Sequence, residues 1–309
     1  MRLVHAIAAV PLVVVLSGCG GVADGSATLG RPAQSTTLGT TQSAAPRASS
    51  PAEAVNAPGP DVPVSTDPVK LAGALKETTT ALNEAIDGWI KGAQERPPQD
   101  VVLLALHQQR IYRAMARSTA LAQETIRRLP KQLAAEARDN VTAVGKLLSM
   151  ARPISAARRK GMLLAEPLPA MRLRDHMVRA EKRFGVEWEV LAAIMLVETK
   201  FGRVRSASST GAQGPMQFMP GTWRQYGLGG DVHNARDAVL GAANYLKASG
   251  APRDYRRALF AYNHDTRYVD AVLAHARQIK RDSRSFYAYY NWQVFVLSAK
   301  GDVRLTGPR

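Results

Sequence analysis

Apolar residues recur at helical spacing along most of this chain, and one such stretch contains an acidic interruption. In Val190–Gly202, Leu191, Ile194 and Met195 are three and four residues apart, which places them on one helix face. The next position on that face is Glu198, where a core residue is expected. Because desolvation disfavours a charged carboxyl group, the pattern predicts a raised pKa for Glu198, as a general acid needs near neutral pH.

The helix alone admits a second interpretation. In this interpretation Glu198 lies near the helix end, and its carboxylate reaches water or pairs with Lys200 or Arg203. Structural ion pairs shift the pKa of carboxyl groups as active sites do, so the helical pattern does not choose between the two interpretations.

Residues 67–152 are predicted to form an α-helical bundle. Three apolar stripes are separated by Pro97-Pro98 and by Pro130, and three helices with short breaks indicate an antiparallel arrangement. No chemically suggestive cluster occurs there, so the stripes are interpreted as core. Residues 153–170 contain three prolines and are predicted to be a linker. The stripes consist of Leu75, Thr79, Leu82, Ile86 and Trp89; of Leu104, Ile111, Met115, Ala122 and Ile126; and of Leu133, Ala137, Val141, Val144 and Leu148.

Residues 171–309 are predicted to form a second, mostly helical domain. After the Glu198 helix, helices are expected near residues 220–226, 234–247, 252–262 and 266–281. The β-prone segment Trp292–Leu297 and residues 303–305, joined by a turn at Lys300-Gly301-Asp302, predict a small hairpin. The expected fold class is therefore mainly α with a small terminal β-hairpin.

The N-terminus has the features of an export signal. Arg2 precedes a short apolar core and the small residues Ser17-Gly18, so residues 1–18 are predicted to be a signal peptide too short to span a membrane. Leu16-Ser17-Gly18-Cys19 resembles the bacterial lipobox, which implies acylation of Cys19 and anchoring to the extracytoplasmic face of a bacterial membrane. The alternative is an ordinary signal with an incidental cysteine. Residues 19–66 are rich in Gly, Ala, Ser, Thr and Pro and are predicted to be a disordered tether.

Composition narrows the classes of partner. The net charge of +16 predicts attraction to a polyanion, which includes nucleic acid, acidic lipid and anionic cell-wall polymer. Export and the lack of a nucleic-acid motif argue against nucleic acid. His233, His264 and His275 do not have metal-ligand spacing and are interpreted as surface or turn residues. We therefore expect no metal and no cofactor.

Three ordered motifs carry a family resemblance. Glu198–Gly202 (ETKFG), Gly211–Pro220 (GAQGPMQFMP) and Ala261–Asn263 (AYN) together resemble the lytic transglycosylases, a branch of the lysozyme-like superfamily. The second motif, with the later YNHDTRYV, is most similar to the membrane-bound lytic transglycosylase B type. The resemblance covers roughly residues 170–285 and implies a lysozyme-like catalytic domain.

The resemblance also implies a reaction that needs one carboxyl group. In this family a single Glu, here Glu198, protonates the β-1,4 bridging oxygen between N-acetylmuramic acid and N-acetylglucosamine. It then accepts the proton of the muramic acid C6 hydroxyl as that oxygen closes onto C1. A 1,6-anhydro end is formed and water is not consumed. A standard glycosidase needs two carboxyl groups, and the nearest acid downstream of Glu198 is Asp231.

Further site residues follow from the motifs and their neighbours. Gln217 can donate and accept hydrogen bonds to a sugar, while Tyr262 is expected to bond the N-acetyl group or Glu198. Tyr268 is expected either to line the groove or to belong to the core, and Gly211 and Gly214 are expected to need positive φ or close backbone approach. The substrate-binding set implied by the resemblance is Ser208, Gly214, Met216, Gln217, Phe218, Tyr262, Asn263 and Tyr268.

Two alternatives remain at this point. One is a hydrolytic muramidase of the same fold that uses Asp231 or Asp265 as base, and the other is a non-catalytic lipoprotein that binds the cell wall. The presence of Glu198, Gln217 and Tyr262 favours an enzyme. The expected partners are peptidoglycan strands, the membrane through lipidated Cys19, and cell-wall proteins through the helical bundle.

Overall fold

A computed structural model describes residues 57–308 of the chain. Within that range there are twelve helices and one two-stranded antiparallel sheet, which confirms the expected mainly α class with a terminal hairpin. The predicted signal peptide, Cys19 and most of the predicted tether lie outside the described residues. None of the helices in the described part has the length and apolar character needed to cross a bilayer.

The N-terminal helices form a bundle of four helices. They are α1 (Pro68–Lys91), α2 (Gln99–Arg117), α3 (Thr119–Arg127) and α4 (Lys131–Met150). The prediction of a single helix for the second apolar stripe is wrong, because Ser118 has extended backbone angles (φ −138°, ψ 107°) and separates α2 from α3. The Ser118 hydroxyl accepts a hydrogen bond from the Leu121 N–H and so caps the new helix.

The C-terminal half adds eight helices and the hairpin within the described residues. Helix α12 is absent from the sequence-based prediction, whereas α8 and α11 have the predicted bounds. The elements are α5 (Ala156–Lys160), α6 (Ala170–Phe184), α7 (Trp188–Thr199), α8 (Pro220–Tyr226), α9 (Ala235–Ala248), α10 (Tyr255–Tyr262), α11 (Thr266–Arg281), α12 (Arg284–Tyr290), β1 (Val294–Ser298) and β2 (Gly301–Leu305).

Helix α7 lies at the centre of this half. It packs against α6, α9, α11 and α12, and every residue from Val190 to Thr199 is buried. A helix that is apolar all round is a buried helix rather than a surface one. The apolar face that contains Glu198 is therefore not the only buried part of α7, because Ala192, Ala193 and Leu196 are also buried.

The bundle and the C-terminal helices share one core. Helix α4 packs along α11, and the Tyr289 hydroxyl donates a 2.6 Å hydrogen bond to Asn140 Oδ1 between the two halves. Gln109 of α2 both donates to the Gln293 carbonyl oxygen and accepts from its N–H, at 2.9 Å each. The bundle thus supports the helices that carry the site, while the predicted domain boundary at residues 153–170 stays a prediction.

The last residues assigned to the tether contact this bundle. Arg110 of α2 donates hydrogen bonds to the carbonyl oxygens of Pro60 and Val62, at 3.1 and 2.7 Å. Ala57 and Val64 pack against the core. The part of residues 57–66 that makes these contacts therefore packs on the bundle.

Candidate active site

Glu198 lies in the last turn of α7, and its side chain is buried with 1% of its surface exposed. The backbone then reverses through Lys200, Phe201 and Gly202, which all have positive φ (52°, 60° and 84°). Lys200 caps the helix, since its N–H donates to the Leu196 carbonyl oxygen at 3.2 Å. The burial contradicts the interpretation in which the Glu198 carboxylate reaches water.

Thr199 joins this helix end to the second motif. Its hydroxyl donates a 2.7 Å hydrogen bond to the Pro215 carbonyl oxygen and accepts one of 2.9 Å from the Gly202 N–H. The loop that contains Pro215 is closed by two backbone hydrogen bonds between Gln213 and Phe218, of 2.9 and 2.8 Å. The first two motifs are therefore held together by buried hydrogen bonds.

Gly214 is the residue of this loop with the tightest steric requirement. Its φ is +72°, and a Cβ atom placed on it would lie 1.9 Å from the Val232 carbonyl oxygen. Gly211 has φ +88° but no atom within 4 Å of such a Cβ. Both glycines therefore have positive φ, and only Gly214 also sits against neighbouring backbone.

Gln217 presents an unused hydrogen-bond acceptor. It has φ +50° and is 2% exposed, and its Nε2 donates to the Gly214 carbonyl oxygen at 3.0 Å. Its Oε1 has no hydrogen-bond partner among residues 57–308. A buried amide oxygen without a partner is costly, so a ligand donor at this position would offset the cost.

Two tyrosines interact electrostatically with Glu198. The Tyr262 hydroxyl, at the end of α10, donates a 2.6 Å hydrogen bond to the Met216 carbonyl oxygen. Burial first, and then the charge of Glu198, raise the pKa of Tyr262 and of Tyr268 well above the usual range. Both hydroxyls therefore stay protonated at physiological pH, and the third motif and α11 meet at the acid.

The apolar motif residues support the site from within the core. Met216 is fully buried and Phe218 is 3% exposed. The Phe218 ring makes edge contacts with Tyr262, at a centroid distance of 5.9 Å, and with Trp223, at 5.1 Å. Trp223 was not among the predicted site residues, and its only sequence signal is its place in the short helix after the second motif.

Ser208 and Asn263 both make local hydrogen bonds that close a loop or cap a helix. Ser208 accepts a 2.9 Å hydrogen bond from the Ala212 N–H through its hydroxyl, and its N–H donates to the Ala212 carbonyl oxygen at 2.9 Å. It thereby closes the loop that precedes the second motif. Asn263 is buried and caps α10, with its N–H donating to the Leu259 carbonyl oxygen at 2.9 Å.

The two candidate second acids have different surroundings. Asp265 caps α11 and is bonded to the Arg267 guanidinium, and these hydrogen bonds lower the pKa of Asp265. Asp231 is exposed and accepts a 2.9 Å hydrogen bond from the His233 N–H. Among the described residues, no three His, Cys, Asp or Glu side chains are grouped so as to hold a metal ion.

The interpretation of His275 as a surface or turn residue is wrong. It lies within α11 and is 1% exposed, packed against the rings of Tyr289 and Trp292 at centroid distances of 4.8 and 5.7 Å. Burial, and then the nearby charge of Lys200, lower the pKa of His275 to about 3. Its imidazole is therefore neutral at physiological pH.

Residues 175–283 match the family described as the transglycosylase SLT domain. The membrane-bound lytic murein transglycosylase F of Thiobacillus denitrificans is 36% identical over 86 residues, which are 28% of this chain and 18% of that protein. The chain thus spans less than a fifth of the length of that relative. No solved structure matches the chain significantly. Over residues 175–283 the match to the transglycosylase SLT domain confirms the resemblance to the lytic transglycosylases, whereas the B sub-type stays a prediction.

Proposed function

We propose, from the transglycosylase SLT domain at residues 175–283, that this protein is a peptidoglycan lytic transglycosylase with Glu198 as its acid and base. The observation that carries the proposal is the carboxyl group of Glu198, which is 1% exposed, next to the Thr199 hydrogen bond to the second motif and close enough to Tyr262 of the third motif to interact with it. A buried carboxyl group favours its neutral form, which is the form that donates a proton to the bridging oxygen. The relative from Thiobacillus denitrificans is named a lytic murein transglycosylase, which supports murein as the substrate.

In the proposed reaction Glu198 donates one proton and later accepts another, so its carboxyl group ends in the form in which it began. In the first step the carboxyl proton moves to the glycosidic oxygen, and the bond from that oxygen to C1 of N-acetylmuramic acid breaks. In the second step the C6 hydroxyl oxygen bonds to C1, and its proton returns to the carboxylate. The products are a free 4-hydroxyl group and a 1,6-anhydro end, and no water or second carboxylate is used.

The remaining site residues would bind and orient the glycan. The open Oε1 of Gln217 can accept a hydrogen bond from a sugar hydroxyl or an N-acetyl N–H. The protonated hydroxyl of Tyr268 interacts with Glu198 and can stabilise the carboxylate formed after the first step. The Tyr262 hydroxyl donates its proton to the Met216 carbonyl oxygen, so Tyr262 would instead position the second motif beside the acid. Ser208, Met216, Phe218 and Asn263 would hold the loops in place.

A hydrolytic muramidase is the second candidate. It requires a carboxylate to activate water across the bond from Glu198. Asp265 is bonded to Arg267 and serves as a helix cap, which favours a structural role for it. Asp231 is exposed and remains the better candidate for such a base.

The test is mass spectrometry of fragments released from purified peptidoglycan by the mature chain. We expect 1,6-anhydro ends from the wild type and no release by Glu198→Gln. Glu189→Gln is the matched control, because Glu189 lies on the same helix and is only partly buried; it should behave as the wild type. Reducing muramic acid ends would instead establish the muramidase, and no release by the wild type would favour the non-catalytic wall-binding protein.

We also propose that the protein acts at a membrane surface through lipidated Cys19, with cell-wall proteins contacting the bundle. The lipobox resemblance supports the membrane anchor, and the relative from Thiobacillus denitrificans is named as a membrane-bound protein. Cell fractionation of Cys19→Ser is the test. Loss from the membrane fraction is expected, and an unchanged distribution would contradict the anchor.

A further inference from the structure

A cavity opens between the bundle and the C-terminal end of α7. Its volume is about 90 Å³, several times the space that one water molecule needs. It is formed by α2, α4, α7, α11, Trp292 and β1. Much of its wall is aliphatic, including Val144, Leu148, Val197 and Val296.

The charged side chains on this wall are all cationic. Arg113, Arg152 and Lys200 line the cavity, and no acidic side chain does so among the described residues. Arg113 pairs with Asp302 at 2.8 Å, outside the lining. Arg152 is exposed, and neither it nor Lys200 forms a salt bridge within residues 57–308. The cavity therefore combines an apolar wall with positive charge, which Asp302 balances at Arg113 and which forms no salt bridge at Lys200 and Arg152 within the described residues.

Lys200 is the central cation. Its Nζ donates a 2.8 Å hydrogen bond to the Leu196 carbonyl oxygen, which uses one of three N–H donors. Burial, and then the charge of Arg113, lower the pKa of Lys200 to about 8, against the opposite effect of Glu198. An anion in the cavity would stabilise the ammonium form and raise this pKa again.

Two further polar groups on the wall have no hydrogen-bond partner. His275 Nδ1 and Trp292 Nε1 are buried and unpaired within the described part of the chain, and both residues line the cavity. His275 is 1% and Trp292 is 3% exposed. Unpaired buried polar atoms cost free energy, but both atoms are enclosed by the wall, so the cations that border the cavity are the groups available to a ligand.

We propose that this cavity is a binding site for an amphipathic carboxylate, an alkyl chain bearing one carboxyl group. The carboxylate is recognised by the Lys200 ammonium, which has two N–H donors left after its bond to the Leu196 carbonyl oxygen, while the alkyl chain packs on the aliphatic wall. Arg152 adds positive charge at the mouth. The site is separate from the glycan-binding residues, although Lys200 is two residues from Glu198 in sequence.

The first test measures binding of three probes to the folded protein by isothermal titration calorimetry, below their micelle concentrations. Decanoate should bind in a saturable manner, decanol should bind more weakly, and decyltrimethylammonium should not bind. At pH 8 decanoate binding should take up protons, which is seen as a dependence of the heat on the buffer. Equal affinity for decanoate and decanol, or no saturable binding of decanoate, would overturn the proposal.

The second test uses variants of the cationic wall. Lys200→Met should weaken decanoate binding by about ten- to a hundredfold, the contribution of a charge-assisted hydrogen bond, and leave decanol binding unchanged. Arg152→Gln, at an exposed position, should give a smaller loss even if Lys200→Met unfolds. Lys247→Met is the matched control, because Lys247 is exposed on α9 outside the cavity lining. Unaltered binding by both cavity variants would refute the carboxylate assignment, independently of any glycan cleavage.

Discussion

Replacing Gly214 by alanine tests whether the loop of the second motif is held by contact with neighbouring backbone. The substitution adds one methyl group at a residue with φ +72°, where that group would lie 1.9 Å from the Val232 carbonyl oxygen. Contacts under 3.0 Å are not tolerated, so the loop or the Val232 segment must move by at least about 1 Å.

The variant Gly211→Ala separates the cost of a positive φ from the cost of steric overlap, which Gly214→Ala combines. Gly211 also has positive φ, +88°, but a methyl group there meets no atom within 4 Å. The left-handed conformation costs an alanine about 1–2 kcal/mol at either position. Overpacking adds about 1–3 kcal/mol at Gly214 alone. The free energy of unfolding should therefore fall by about 2–5 kcal/mol in Gly214→Ala and by about 1–2 kcal/mol in Gly211→Ala.

Urea unfolding followed by circular dichroism measures the difference between the two variants. Glycan release gives a second readout, since a shift at Gly214 moves Pro215 and Gln217 relative to the helix of Glu198. We expect a larger loss of activity in Gly214→Ala than in Gly211→Ala. Equal destabilisation of the two variants would refute the steric argument and leave only the backbone conformation as the cause.

Three further predictions concern buried polar groups. Tyr262→Phe removes the donor to the Met216 carbonyl oxygen and should lower the free energy of unfolding by about 1–3 kcal/mol; a Tm equal to that of the wild type would contradict this. His275 has a pKa of about 3 in the fold and 6.5 when unfolded, so the unfolded chain binds the extra proton and stability is lost as pH falls from 6.5 towards 3. His275→Phe should show a shallower loss over that range, and an unchanged slope would exclude this origin. Burial raises the pKa of Glu136 from 4.5 to about 7, so its contribution to stability is present below pH 4.5 and lost as pH rises through 7. Glu136→Gln keeps an acceptor for the Tyr112 hydroxyl. Its free energy of unfolding minus that of the wild type should be larger at pH 8 than at pH 5. A difference that does not change with pH would show that Glu136 does not titrate in this range.

Local pattern accounts for most of what was predicted correctly. Apolar spacing, prolines and capping residues act within a few residues of one another, so they indicated the mainly α class, the bounds of α11 and the terminal hairpin from sequence alone. The order of three short motifs likewise indicated the similarity of residues 175–283 to the transglycosylase SLT domain before any contact was known. Ser118 shows the limit of this reasoning, because apolar spacing continued across a residue whose extended backbone interrupts the helix.

The tertiary structure decided the properties that depend on residues distant in sequence. Apolar spacing placed Glu198 on a core-facing side of α7 but left open a carboxylate that reaches water, and the packing of four other helices around α7 decided for burial. His275 is buried, against expectation, because α11 packs between α7 and the bundle. Gly214 is constrained by the carbonyl oxygen of Val232, eighteen residues later in the chain. The sequence by itself determined which groups were available, whereas burial, close approach and the charge of neighbours arose only when separate segments packed together, because these energies depend on distance in space.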